Sequence, residues 1–207
     1  MNIGEIIEGC RILDYEVIND LNNKDVEFLN SKYINVVKHS SSTVGAKLAI
    51  GHPRRFESVI GTCGSLRNSI DYIRTENYPR ELLSVTRLNK KQINRIPTRK
   101  RRIDNFISAV ATLLYDSISS DPELVEEIRN TDGVMVSYNR HLRKSLGTEI
   151  TVFEYNSKLA YYTFILRIYS YMIKHDMFTP EYIIRVVEYL KVNKDVSAFH
   201  GTDVSIK

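Results

Sequence analysis

Between Ile103 and Ile118 the apolar residues Ile103, Phe106, Ile107, Val110, Leu113, Leu114 and Ile118 recur at intervals of three and four. That is the period of one helix face, so the pattern predicts an amphipathic helix. Asp121-Pro122-Glu123 then supplies an N-cap, an N1 proline and a first-turn acid, opening a second helix through Leu124, Val125 and Ile128, with Thr131-Asp132-Gly133 closing it. Tyr138–Leu146 is expected to add a further short helix stopped by Gly147. Ile150–Phe153 fits either state. Lys158–His175 carries the stripe Leu159, Tyr162, Ile165, Leu166, Tyr169, Met172 and Ile173 and predicts the longest apolar helix. Thr179-Pro180-Glu181 repeats the cap, proline and acid signal ahead of Ile183, Ile184, Val187 and Leu190.

The first 64 residues differ in period and hold six of the nine glycines. Arg11–Ile18 is apolar enough for a strand and is followed by turn chemistry at 19–23. In Lys24–Leu29, Val26 and Phe28 alternate with Asp25 and Glu27, and Lys32–His39 is a third strand candidate. Together they predict a small antiparallel meander, which three strands alone cannot stabilise. From Ser65 onward the period turns helical, and Leu66–Arg74 is compatible with a helix. The expected class is therefore α+β, with a small antiparallel β-rich N-terminal part followed by a mainly helical C-terminal part. The boundaries are a β-rich module over 1–64, a basic connecting segment over 65–102, a helical domain over 103–194 and a polar tail over 195–207. The pattern leaves open whether these are separate domains or one α+β body.

Charge changes the picture more than composition does. The chain has 207 residues, 43% of them hydrophobic, and a formal charge of +4; its length suffices for a real core. Residues 1–83 sum to −1 and residues 103–207 to −3. Between them Arg87, Lys90, Lys91, Arg95, Arg99, Lys100, Arg101 and Arg102 carry +8 with no acid. Such a block repels itself unless it is solvated or meets a polyanion. A nucleic acid, DNA first, is the expected partner, because each neutralised phosphate releases counterions. Lys47, Arg54 and Arg55 would add a second contact surface.

Other chemistry is sparse. The chain has no run of 18 apolar residues to span a membrane, and its first residues lack the basic-then-apolar order of a secretory signal. Two cysteines form no framework, so a reducing, cytoplasmic setting is expected. His39, His52, His141, His175 and His200 never fall three to five residues apart, so no zinc site and no cofactor is expected. His175 suits a helix C-terminus, and His52 sits in a loop before Pro53-Arg54-Arg55. Cys63, in Gly61-Thr62-Cys63-Gly64-Ser65, resembles a nucleophile turn, but no nearby histidine completes it, which favours a buried thiol. Glu123, Glu126 and Glu127 fit an exposed first turn. Tyr155, Tyr161, Tyr162, Tyr169 and Tyr171 crowd one segment and could stack bases. Tyr162 and Tyr169 lie on the apolar stripe, where core packing is the better use.

Gly4-Glu5-Ile6-Ile7-Glu8-Gly9 leads into Arg11–Glu16, then Lys24–Tyr33, Lys47-Leu48-Ala49-Ile50-Gly51, Pro53 and Val59-Ile60-Gly61-Thr62-Cys63-Gly64. Over residues 4–64 this resembles the small β module at the front of bacteriophage HNH-type homing endonucleases. The resemblance implies a DNA-contacting module in a phage-encoded protein working in a bacterial host's cytoplasm. No histidine-rich ββα-metal signature follows, so it implies a binding module without its nuclease. The expected function is thus non-enzymatic nucleic-acid binding, with the helical part as scaffold or homo-oligomer surface. Two alternatives stand beside it. One is a structural or assembly protein of a virus particle, joined through its tyrosine-rich helices. The other is an enzyme acting on a nucleotide through Arg54, Arg55 and the glycine-rich loop.

Overall fold

The computed structural model describes residues 2–10, 33–58, 61–69, 99–143, 148–153 and 158–193. In chain order these form α1 (Ile3–Gly9), β1 (Tyr33–Asn35), α2 (Thr43–Lys47), β2 (Pro53–Ser58), β3 (Gly61–Ser65), α3 (Arg99–Ser119), α4 (Pro122–Arg129), β4 (Val134–Val136), β5 (Tyr138–Arg143), β6 (Thr148–Phe153), α5 (Lys158–Lys174) and α6 (Pro180–Val192). The class is mixed α+β. Local chemistry sets several helix starts. Asn2 and Glu5 form a capping box on α1, Ser42 accepts from the Gly45 amide, and Asp121 accepts from the Leu124 amide at 3.0 Å ahead of Pro122. Thr179 stands at the corresponding position before Pro180, but its hydroxyl donates to Glu181 instead of capping.

The predicted helices at 103–118, 121–131, 158–175 and 179–190 all form, and the helix at 103–118 begins one turn earlier, at Arg99. Residues 66–69 are helical, at the start of the stretch compatible with a helix. Of the expected meander, the strands at 11–18 and 24–29 lie outside the described residues. The third strand forms as β1, but it pairs in parallel with β4, Ile34 opposite Met135, instead of joining an antiparallel neighbour. Val134, Met135 and Val136 are mostly β-branched and follow Gly133, whose φ is 145°. They offer a buried edge to which β1 can pair. The helix expected over 138–146 is instead strand β5, paired with β6 from Tyr138↔Phe153 to Arg143↔Thr148. The Thr-Glu-Ile-Thr-Val-Phe run strongly favours an extended chain, and pairing with it outweighs the weak helical spacing of Leu142 and Leu146.

One hydrophobic cluster takes residues from both ends of the chain, from Ile3, Ile6 and Ile7 in α1 to Ile183, Val186 and Leu190 in α6. Residues of the 1–64 and 103–194 stretches therefore share a single core. At its centre lies α5, where every residue from Tyr162 to Tyr169 is buried. A helix apolar on all sides belongs in the middle of a fold. Three of its polar side chains end on backbone carbonyls of other elements. The Tyr162 hydroxyl donates to Leu48 O at 2.6 Å and the Tyr169 hydroxyl to Ala111 O at 2.7 Å. Arg167, 9% exposed, donates from Nε to Cys10 O at 2.8 Å and from Nη1 to Met135 O at 2.9 Å. These bonds hold the ends of α1 and α2, the middle of α3 and strand β4 against one helix. Gly45 permits a close approach at the edge of this core: a Cβ there would lie 2.4 Å from Asn35 O.

Replacing Arg167 by Met keeps the stem's bulk but removes two charge-assisted bonds and strands two carbonyls. The expected loss of stability is about 3 kcal/mol, against about 1 kcal/mol for Tyr169→Phe. Urea unfolding of the two variants beside the wild type measures both. Equal losses would show that Arg167 acts through packing alone.

Candidate nucleic-acid interface

Arg87, Lys90, Lys91 and Arg95 lie outside the described residues. Arg99, Lys100, Arg101 and Arg102 are the first four residues of α3, which has no acid in its first turn. The helix dipole places partial positive charge at this end, where carboxylates stabilise and cations do the opposite. Four consecutive cations here raise the local potential with nothing in that turn to offset it.

The second expected surface divides on inspection. Lys47, at the end of α2, donates from Nζ to Glu127 Oε1 at 2.5 Å. That hydrogen bond holds its ammonium above the ordinary lysine pKa, and Asp121 and Glu123 add to it. Arg54 turns inward: Nη1 donates to Ser117 Oγ at 3.1 Å and Nη2 to Lys47 O at 2.6 Å. Burial lowers its pKa from an initial value so high that it stays charged. Both residues are thus engaged, the half-exposed Lys47 joining α2 to α4 and Arg54 joining β2 to α3 and α2. Arg55 is exposed.

The hairpin explains the difference. β2 pairs antiparallel with β3, Pro53 opposite Ser65 and Phe56 opposite Cys63, so Arg54 and Arg55 together face only Gly64. This is a β-bulge, placed on the two arginines. Along β2 Phe56 is buried, Arg54 and Ser58 are half-buried, and Pro53, Arg55 and Glu57 are exposed. On the inner side Ser58 donates to the Asp116 carboxylate at 2.5 Å. Burial raises the Asp116 pKa, and the Ser58 bond partly opposes that.

One cation of this region, Arg67, escaped the charge reading. Arg67 donates its amide to Ile50 O at 2.9 Å, and its guanidinium covers Gly51, with Cζ 3.7 Å from where a Cβ would stand. His52 shares that loop, and its pKa is lowered by burial and by the neighbouring Arg54 and Lys47. Isolated in sequence, Arg67 carries no signal.

Other chemistry is quiet. Cys63 is buried in β3 and burial raises its pKa; Cys10 is pushed up to about 11 by burial, with Arg167 partly opposing. Neither is an activated thiol. Among the described residues no group of three His, Cys, Asp or Glu side chains could hold a metal, and no helix is long and apolar enough to cross a membrane. Tyr162 and Tyr169 are core residues, not stacking platforms. An open groove of about 690 Å³ between α2 and α4 is lined by Thr43, Val44, Glu123, Glu126, Glu127, Asn130 and Thr131. Its carboxylates make it unsuited to a polyanion.

His52 has a sign that can be checked. Its folded pKa lies below its unfolded value of about 6.5, so the unfolded chain binds the extra proton first. Stability is complete above that value and falls as pH drops through it toward the folded pKa. Between pH 7 and pH 5 the wild type should therefore lose more stability than His52→Gln, in melts at matched salt. Parallel pH profiles would show that neither burial nor the two cations holds His52 below its ordinary pKa. Comparison with known proteins adds no relative to this picture: no family model, no curated protein and no solved structure matches the chain.

Proposed function

We propose that the chain is a non-enzymatic nucleic-acid-binding protein that holds phosphates, of DNA first, through the basic segment 84–102. The observation that carries this reading is the position of Arg99, Lys100, Arg101 and Arg102 in the opening turn of α3, without an acid. Placed there, four cations disfavour the helix by some tenths of a kcal/mol each. A bound phosphate reverses that sign, since it meets the side-chain charges and the positive end of the dipole together. The upstream Arg87, Lys90, Lys91 and Arg95 lengthen the same strip.

A duplex titration at several salt concentrations tests it. The wild type should bind at low salt and lose affinity steeply as salt rises. Replacing Arg99, Lys100, Arg101 and Arg102 by Ala should flatten the slope of log K against log salt by about 0.9 for each phosphate left without its cation. The same variant should melt no lower than the wild type, because Ala is the best helix former and the cations oppose the dipole. A wild type that ignores DNA at low salt, or binds it indifferently to salt, refutes the proposal.

A further inference from the structure

Strands β5 and β6 form a two-stranded sheet of their own, antiparallel from Tyr138↔Phe153 to Arg143↔Thr148. Among the described elements, each packs along its length only against the other. The other strands are better supported: β2 lies against α3, and β4 lies against α5. A ribbon of two short strands is marginal in water, and a third strand or a packed helix is what makes such a sheet stable. Among the described residues, β5 and β6 have neither.

The two outer edges of this ribbon differ in kind. β5 reads Tyr-Asn-Arg-His-Leu-Arg, and Arg140, His141 and Arg143 are residues that discourage edge pairing. A second β5 laid alongside it would set like charges against one another. β6 reads Thr-Glu-Ile-Thr-Val-Phe, with no proline and one charge, Glu149, toward its first end. Its β-branched and aromatic residues favour an extended, paired chain, and nothing in its sequence guards the edge.

β6 is also complementary to itself. Laid antiparallel to a copy about Thr151, it sets Thr151 opposite Thr151 and Ile150 opposite Val152, with Glu149 opposite Phe153. Threonine pairs and β-branched pairs are favourable cross-strand neighbours, and no like charges meet. Charge thus selects this edge over that of β5, and the self-matching order selects a second copy of the chain as its occupant.

We propose that β6 is a self-association edge. Two copies pair their β6 strands antiparallel about a two-fold axis at Thr151, and the two ribbons become one four-stranded sheet in the order β5-β6-β6-β5. Such a pairing is isologous, so it closes at a dimer, with the basic β5 strands as its guarded outer edges. The proposal stands independently of the nucleic-acid reading above.

Sedimentation of the purified full chain, without nucleic acid and over a wide range of concentration, tests it. The wild type should move from monomer to dimer as concentration rises, with no larger species. Thr151→Lys and Thr151→Glu each oppose like charges at the two-fold axis, and each should raise the dimer dissociation constant about fivefold or more. An equimolar mixture of the two variants should recover wild-type association, because the facing charges are then of opposite sign. Recovery on mixing cannot come from two chains that merely fail to fold. A wild type that stays monomeric, or that grows beyond a dimer, overturns the proposal. So do variants that associate as the wild type does, which would place the interface elsewhere. Weakened variants that do not recover on mixing also overturn it, since position 151 would then act within its own ribbon.

Discussion

The burial of α5 on all sides is the constraint that the rest of the fold obeys. From Tyr162 to Tyr169 no residue faces water, so every surrounding element must present an apolar surface to it. The helix also contains Tyr162, Thr163, Arg167 and Tyr169, whose polar atoms require partners once water is excluded. The two tyrosine hydroxyls and the Arg167 guanidinium find theirs on backbone carbonyls, at Leu48, Ala111, Cys10 and Met135. Those carbonyls belong to elements far apart in sequence. A hydrophobic surface would tolerate sliding, whereas a hydrogen bond to one particular carbonyl fixes position, so these four bonds set where α1, α2, α3 and β4 stand.

Arg167 is the most demanding of them. A guanidinium cannot discharge by losing its proton, so its burial is stable only if its donors are met. It meets the carbonyl at the end of α1 and one in β4. The same strand pairs in parallel with β1, so a residue near the end of the chain helps to place one near its beginning. This is why residues of the expected N-terminal module and helical part share a core.

What could be read in advance follows the range of each interaction. The helices at 103–118, 121–131, 158–175 and 179–190 are stated locally, by period, caps and prolines, and they appear within a turn of those bounds. Tyr162 and Tyr169 were legible as core from their stripe. The parallel β1–β4 pairing was not, because nothing near Tyr33 names Val134 as its partner. Strand β5 was misjudged because its conformation comes from the facing Thr148–Phe153, not from its own spacing. Net charge marked Lys47, Arg54 and Arg55 alike, yet charge cannot tell a strut from a contact. Only their partners, Glu127 for Lys47 and Ser117 for Arg54, separate these two engaged cations from the exposed Arg55.

The basic opening turn and the β2–β3 hairpin are joined through α3. Its opening turn carries Arg99 to Arg102, while Asp116 and Ser117 near its other end hold the inner side of β2 through Ser58 and Arg54. Seventeen residues of helix separate Arg99 from Asp116, a rise of about 25 Å. Leu113, Leu114 and Ile118 are wholly buried along that length, and the Tyr169 bond at Ala111 grips the middle. From Ile107 onward the helix is therefore packed into the core, and the hairpin is held at its far end. Arg54, by bonding to Ser117 near the end of α3 and to the Lys47 carbonyl at the end of α2, fixes the hairpin against both helices at once.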